Sequence, residues 1–208
     1  MVSTAQTKLN EELKNELSKI NDDDQDLRKI YFIQKVYDSK SDSLKKEFNV
    51  DDAGLKKILE NKIRENDSLN LIKIESIIKE HGYPGKSLVG QNESDVAWAV
   101  IQHASPQIMK KYLAVLKKAV DENEIEFTKY ALTLDRVLMS ENKPQIYGSQ
   151  ATRVKLVGID EPQLIIWPIE NPKTVDKLRR RVGFYESVRK YAKNMGIKYK
   201  VYLIEDIE

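Results

Sequence analysis

A histidine and an aspartate are the residues whose types best suit acid–base chemistry in this chain. His103 stands at the end of one predicted helix, just before Ser105 begins the next, and Asp135 lies within a later helix. An imidazole can exchange a proton near neutral pH, and a carboxylate can orient the ring that does so. We therefore expect His103 to act as the acid or base, Asp135 to orient it and Tyr147 to donate a hydrogen bond at the reacting centre. The alternative is a structural histidine that holds the corner between two helices.

The helix that carries Asp135 also carries Arg136, and it is apolar nearly all round. Residues 127–138 repeat apolar side chains at a three-and-four spacing on one face, and Leu132 and Met139 lie on the opposite face. Such a helix is buried on more than one side, where adjacent opposite charges are costly unless they are paired or hydrogen-bonded. Both charges therefore need partners, and we expect Asp135 to lie nearer a cleft than Arg136.

Amide and hydroxyl groups crowd the loop after this helix, Lys143–Gln150, whose sequence is KPQIYGSQ. These groups donate and accept hydrogen bonds with defined geometry, so the loop can either satisfy the buried charges or line a binding site. A basic helix follows at 177–181, and its charges form a solvated face unless one arginine turns inward. The side chains that we expect to bind a substrate are Gln102, Arg136, Gln145, Gln150 and Arg180.

Residue counts and spacing exclude several other types of site. The chain has no cysteine, which removes thiol catalysis and thiolate metal ligands, and its two histidines lack the spacing of a zinc motif. The segment Gly82–Ser87 ends in Gly-Lys-Ser but has two residues between its glycines, whereas a phosphate-binding loop needs four. No serine lies in a nucleophile-elbow pattern. We therefore expect neither a metal nor a cofactor.

Charge and hydropathy argue against two classes of partner. The 35 basic and 33 acidic residues give a formal net charge of +2, and no long run of one sign offers a footprint for nucleic acid. No apolar run approaches the roughly 18–20 residues of a membrane span, and the N-terminus lacks a signal-peptide pattern. We expect a soluble protein, cytoplasmic as the sequence stands or extracytoplasmic if a leader has been removed. The oligomeric state stays open.

Hydrophobic periodicity predicts a mainly α fold with a small antiparallel β-hairpin or sheet near the C-terminus. Residues 1–20 indicate a peripheral helix or a flexible N-terminus, because their apolar stripe is narrow. Residues 21–208 indicate a single, mainly helical domain.

Within this domain the pattern predicts three further features. Residues 38–49 are polar and indicate a connection between helices, and a break is expected at 66–68 in the next helix. The runs 153–157 and 163–167 are β-prone and separated by turn residues, so they predict the hairpin. The tail 197–204 alternates apolar and polar residues and can add an edge strand to it.

Four short motifs resemble an uncharacterised bacterial family, one of the domains of unknown function. They are Gly82-Tyr83-Pro84-Gly85, Gln102-His103-Ala104, Asp135-Arg136-Val137-Leu138 and Gln145-Ile146-Tyr147-Gly148-Ser149-Gln150. The remaining markers of the family are Asp24-Gln25 with Arg28, Asp67-Ser68-Leu69-Asn70, and Val175-Asp176 with Arg180, Val182 and Gly183. Tyr83 replaces the Trp that relatives often carry, and Phe184 replaces their usual Leu. Many relatives carry a leader, so the resemblance is consistent with an extracytoplasmic origin.

The resemblance implies no activity, but it does imply a shared pocket. A purely structural core does not need polar residues in such number. Two functions then stay open. One is an enzyme of hydrolase or lyase type that uses a polar cleft on a small polar or peptide-like substrate. The other is a non-catalytic binding or protein-interaction module whose polar network is structural.

Overall fold

A computed structural model describes residues 9–208 of the chain. Nine α-helices and one two-stranded antiparallel sheet form most of the regular structure in these residues. The sheet lies within residues 151–166. This confirms the predicted mainly α fold with a small antiparallel sheet near the C-terminus. None of the described helices combines the length and apolar character that crossing a bilayer requires. The chain divides into two compact units, Met1–Ala104 and Ser105–Glu208.

The described part of the first unit is built from helices. They are α1 Glu11–Phe32, α2 Gln34–Phe48, α3 Asp52–His81, α4 Lys86–Val89 and α5 Val96–His103. α1 packs along α3 and α5, and it contributes Leu13, Leu17 and Ile20 to a buried apolar cluster. Ile74 of α3 and Val100 of α5 belong to the same cluster. α1 is therefore a core helix of this unit.

Residues 11–20 are thus part of the core of this unit, although a peripheral position was predicted for residues 1–20. α1 begins after Asn10, whose side chain accepts a hydrogen bond from the N–H of Leu13 at 3.1 Å, and it continues through residue 20 without a break. Leu17 and Ile20 are almost fully buried, because a narrow stripe is enough to seat this helix between two others. The structure has no boundary at residue 20. Residues 1–8 of the predicted segment lie outside the described residues.

Helical structure replaces two segments that were predicted to be irregular. α2 covers most of the polar stretch 38–49, because Tyr37 at its start packs against Leu55 of α3 and anchors the helix. α3 continues through Asn66, where a break was predicted, and the amide of that residue donates to the main-chain oxygen of Asp23 in α1 at 2.9 Å. The polar residues at this point therefore join two helices and do not interrupt one.

The second unit combines four helices with the hairpin. Its main elements are α6 Pro106–Asp121, α7 Phe127–Ser140, β1 Ala151–Leu156, β2 Ile159–Ile166, α8 Val175–Arg181 and α9 Val188–Asn194. Ser105 begins α6 by accepting a hydrogen bond from the N–H of Ile108 at 3.4 Å, with Pro106 in the first turn, as the sequence predicts. In the hairpin, Ala151 stands opposite Ile166. The core around α8 and α9 contains Ile166, Ile169, Val175, Val188, Ala192 and Ile197.

The C-terminal tail does not form the predicted edge strand. Residues 197–203 are irregular, and a short 3-10 helix follows at Ile204–Asp206. One isolated antiparallel bridge joins Leu156 to Ile207. The tail turns here because the side chain of Asp206 accepts a hydrogen bond from the N–H of Leu203 at 2.8 Å.

Candidate functional site

The ring of His103 is hydrogen-bonded to a carboxylate of the first unit. His103 is the last residue of α5, and its Nδ1 lies 2.9 Å from Oδ1 of Asp24 in α1. The Asp24 side chain is 2% exposed, whereas the His103 side chain is 27% exposed. The pair therefore joins a buried carboxylate to an imidazole that solvent can reach.

Two further side chains hold the carboxylate of Asp24. Gln25 Nε2 donates to Oδ2 at 2.6 Å, and Arg28 Nη1 lies 4.0 Å from Oδ1. Burial raises the pKa of Asp24, but the hydrogen bond and charge of His103, the charge of Arg28 and the hydrogen bond of Gln25 together lower it below its ordinary value. Asp24 is therefore ionised at neutral pH, so it accepts a hydrogen bond and favours a proton on Nδ1 of the ring.

A second carboxylate, Asp67 of α3, completes a cluster of residue types that can bind a metal ion. One ligand atom from each of Asp24, Asp67 and His103 lies within 4.8 Å of the other two, and two carboxylates with an imidazole suit a divalent cation. However, Arg28 Nη2 donates to Oδ1 of Asp67 at 2.8 Å and supplies a positive charge to both carboxylates. The residues present therefore fit an ion-pair network better than a metal centre.

His103 opens onto a cleft of about 490 Å³. Its lining residues are Gln25, Arg28, Lys29, Phe32, Ile33, Ile63 and His103. α1 contributes several of them, because residues at three-and-four spacing lie on one face of a helix. Phe32 is 72% exposed although it is apolar. The cleft thus combines an exposed apolar side with amide, guanidinium, ammonium and imidazole groups.

Asp135 is fully buried in α7, and its carboxylate holds the loop after that helix. Oδ1 accepts from the N–H of Ile146 at 2.8 Å, and Oδ2 accepts from the N–H and the hydroxyl of Ser149 at 3.0 and 2.8 Å. The N–H of Tyr147 is 3.0 and 3.1 Å from the two oxygens. Burial raises the pKa of Asp135, and the hydrogen bonds from the loop oppose that rise. Asp135 was predicted to orient an imidazole, but its carboxylate oxygens accept hydrogen bonds from the loop.

Three residues predicted to bind a substrate hydrogen-bond with one another in the second unit. Gln145 Nε2 donates to the main-chain oxygens of Gln150 and Trp167 at 3.0 and 2.7 Å, and its Oε1 accepts from the N–H of Gln150 at 2.8 Å. The side chain of Gln150 accepts from Arg136 Nε at 3.3 Å and donates to the main-chain oxygen of Leu132 at 3.3 Å. Arg136 is partly buried, and burial lowers its pKa. These residues form one polar network around the loop.

Tyr147 and helix α8 lie beside this network. Tyr147 is buried, its ring stands edge-on to that of Phe127, and burial raises the pKa of its hydroxyl. Arg180 is exposed. The arginine of α8 that turns inward is Arg179, which donates to the main-chain oxygens of Tyr147 and Gly148 at 2.8 and 3.2 Å.

Sequence reasoning singled out His103 but did not identify the residues that contact it. The other predicted residue of α5, Gln102, is buried next to it in the chain. Asp24 and Asp67 were marked only by the resemblance to a family, which gave them no role. Arg179 had a signal of its own, since it follows Val175 by four residues and falls on the same buried face of α8.

Comparison with known proteins connects the chain to one family. Residues 12–201 match the Family of unknown function (DUF6624). No curated protein matches the chain. No solved structure matches it either. Since the match covers most of the sequence, the predicted membership of an uncharacterised family is confirmed, and the chain belongs to the Family of unknown function (DUF6624).

Proposed function

We propose that the protein is an acid–base enzyme of hydrolase or lyase type whose His103–Asp24 pair acts in the cleft beside α1. The observation that carries the proposal is the 2.9 Å contact between a buried, ionised carboxylate and a ring that is accessible from the cleft. A histidine held in this way has one nitrogen committed to orientation and the other left for proton transfer.

In this proposal the two residues have different roles. Asp24 is a positioning residue, because its carboxylate accepts the Nδ1–H of His103 and fixes the tautomer of the ring. Nε2 of His103 then takes a proton from water or from a substrate carbon acid and returns it to the leaving group. The Asp24 carboxylate also stabilises the imidazolium that forms. Asp24 thus takes the role that the sequence suggested for Asp135.

The cleft suits a small polar or peptide-like substrate. Gln25 and Lys29 supply hydrogen-bond donors, and Phe32, Ile33 and Ile63 supply apolar surface in the same cleft. A peptide-like molecule offers both a carbonyl group and an apolar side chain, so one substrate can use both parts of the lining.

A non-catalytic binding module is the second candidate, and the second unit favours it. There, Asp135, Gln145 and Gln150 use their side chains to fix the 145–150 loop and its neighbours. In the described residues, no buried side-chain nitrogen or oxygen lacks a hydrogen-bond partner. We therefore propose that this network is structural, as the binding-module hypothesis requires.

The test of the enzyme combines a measurement that needs no substrate with a substrate screen. Nitrogen-15 NMR of the neutral His103 ring should show the proton on Nδ1, and Asp24→Asn should shift the population towards the Nε2–H tautomer. The screen uses p-nitrophenyl esters and aminoacyl p-nitroanilides. His103→Gln should abolish turnover, and His81→Gln is the matched control because it alters the other histidine.

Asp24→Asn should lower kcat by roughly 10²–10⁴-fold with little change in KM, because it alters proton transfer and not the cleft wall. An Nε2–H tautomer in the wild-type protein overturns the proposal. Turnover that survives His103→Gln overturns it as well. A correct tautomer with no turnover of any tested substrate favours the binding module.

A further inference from the structure

A second cavity, of about 540 Å³, lies in the second unit and contains none of the residues of the His103 cleft. Its lining residues are Glu126, Thr128, Leu132, Ser149, Arg179, Gly183, Phe184, Tyr185, Glu186, Lys190 and Tyr191. Most of them come from the segment between α8 and α9 and from the start of α7. Arg179 is the informative member, because it is a buried cation.

Arg179 is 2% exposed and makes three hydrogen bonds to main-chain oxygens. Nε donates to Glu186 at 2.8 Å, and Nη1 donates to Tyr147 and Gly148 at 2.8 and 3.2 Å. A guanidinium has five N–H donors, one on Nε and two on each terminal nitrogen. Nε and Nη1 are therefore used, and within residues 9–208 Nη2 has no hydrogen-bond partner.

Within the part of the chain that the structure describes, the charge of Arg179 also has no direct counterion. Among the described side chains, no carboxylate lies within salt-bridge distance of its guanidinium. Burial lowers the pKa of Arg179, and the charges of Asp176 and Glu186 oppose that fall. Two aromatic rings cover the group, with its central carbon 4.5 Å from the Phe184 centroid and 5.5 Å from the Tyr191 centroid. In the described residues every buried side-chain nitrogen has a hydrogen-bond partner, so Nη2, which has none, must be open to solvent. Nη2 is thus the part of this side chain left to bind a ligand in the cavity.

The rest of the lining limits what that ligand can be. The cavity contains two cationic residues, Arg179 and Lys190, and two anionic residues, Glu126 and Glu186. This balance disfavours a multiply charged anion such as phosphate and is compatible with a single negative charge. Tyr185 on the same cavity has a fully exposed side chain, so apolar surface is available beside the guanidinium.

We infer that this cavity binds a small monocarboxylate with an aromatic or aliphatic body. Its carboxylate oxygen accepts hydrogen bonds from Nη2 of Arg179, and its body packs against Tyr185, Phe184 and Tyr191. The site is independent of the proposed catalytic pair, because it lies in the other unit and shares no residue with the His103 cleft. Failure of either proposal therefore leaves the other standing.

The test uses the full chain and three probes with one aromatic body: phenylacetate, phenylethanol and phenethylamine. Calorimetry gives the affinity of each probe. NMR follows the side-chain Nε–H signal of Arg179, which reports directly on the guanidinium because this N–H donates to the main-chain oxygen of Glu186. Phenylacetate should bind and shift this signal. Phenylethanol and phenethylamine should bind at least tenfold more weakly, and inorganic phosphate should not compete.

Arg179 itself is a poor site for mutation, since its three hydrogen bonds hold the loop. Thr128→Trp, in the first turn of α7, should fill the cavity and abolish binding. Tyr185→Ala should weaken binding by roughly three- to tenfold, because it removes one aromatic contact to the ligand. Tyr202→Ala is the matched control, because Tyr202 is not among the lining residues, and it should bind as the wild-type protein does.

Three results would overturn the inference. One is equal binding of phenylacetate and its neutral or cationic analogues. Another is full phenylacetate binding by a folded Thr128→Trp variant. The third is the absence of phenylacetate binding to the wild-type chain at millimolar concentration.

Discussion

Ser149 donates two hydrogen bonds to one oxygen of Asp135, through its main-chain N–H at 3.0 Å and its hydroxyl at 2.8 Å. A single carboxylate in α7 therefore fixes a residue fourteen positions later in the chain. Gly148, beside Ser149, contributes its carbonyl oxygen to Arg179. The loop that holds the network of the second unit is thus the same loop that positions the buried arginine.

Asp135→Asn should lower the free energy of unfolding by about 1–3 kcal/mol, since the amide group replaces one acceptor and places a donor against the N–H groups of the loop. Loss of the buried negative charge offsets part of this cost. Urea unfolding measures the change. The control is Asp121→Asn, on the exposed end of α6, which should stay within about 0.5 kcal/mol of the wild-type protein. Equal stability of the two variants would show that another contact holds the loop.

The pKa of Asp24 predicts a pH dependence of stability. Its folded-state pKa is lower than the ordinary value of 3.8, so the stabilisation it provides is present above about pH 3.8 and is lost as pH falls through the folded-state pKa. Asp24→Asn should therefore be less stable than the wild-type protein at neutral pH, and the difference should shrink in acid. Burial raises the pKa of Asp135, which is the opposite shift to that of Asp24. Both proteins contain Asp135, so its contribution cancels when the stability of Asp24→Asn is compared with that of the wild type.

Denaturant unfolding at a series of pH values checks this prediction. Asp22→Asn is the matched control, because Asp22 is an exposed residue of the same helix, and its unfolding curve should follow that of the wild-type protein at each pH. A gap between wild type and Asp24→Asn that stays constant into strong acid would mean that the ionised carboxylate does not stabilise the fold.

Gly148→Ala should destabilise the protein by about 2–4 kcal/mol, as two costs combine. Gly148 has a φ of +63°, and a Cβ there would lie 2.8 Å from Ile169 Cδ1 and 2.9 Å from Val188 Cγ2. The backbone cost is roughly 1–2 kcal/mol, and crowding in a packed core adds a similar amount. The control is Gly158→Ala, whose φ is +76° with no atom within 4 Å of the new Cβ, so it should incur only the backbone cost. Thermal unfolding compares the two, and similar melting temperatures would refute the close packing of the loop.

The sequence predicted the helices and the hairpin well where local pattern determines structure. Ser105 and the proline after it placed the start of α6, and the all-round apolar character of the helix around Asp135 predicted the burial of that residue. The partner of His103 could not be found in this way, because Asp24 is 79 positions away and no local rule links the two. Likewise, the polar residues of α2 indicated a loop, although the helix is held by packing that the local sequence does not reveal.

Arg28 is expected to occupy the position of a cation between Asp24 and Asp67. Its guanidinium is 2.8 Å from Asp67 and 4.0 Å from Asp24, and these two carboxylates with His103 form a cluster of metal-ligand types. Arg28→Ala should lower stability by about 1–3 kcal/mol through loss of a charged hydrogen bond. It should also leave two carboxylates and an imidazole without their counterion, and the variant should then bind Mn²⁺ or Zn²⁺ more tightly than the wild-type protein.

Melting temperatures with and without each metal test this expectation, because a ligand that binds only the folded state raises the melting temperature further the more tightly it binds. The rise should be larger for Arg28→Ala than for the wild-type chain, and EDTA should reverse it. A double variant that also carries His103→Gln should lose most of the rise, since it removes one of the three ligands. If Mn²⁺ and Zn²⁺ raise the wild-type melting temperature as much as that of Arg28→Ala, then the cluster binds metal beside Arg28, and the guanidinium does not take the place of a cation.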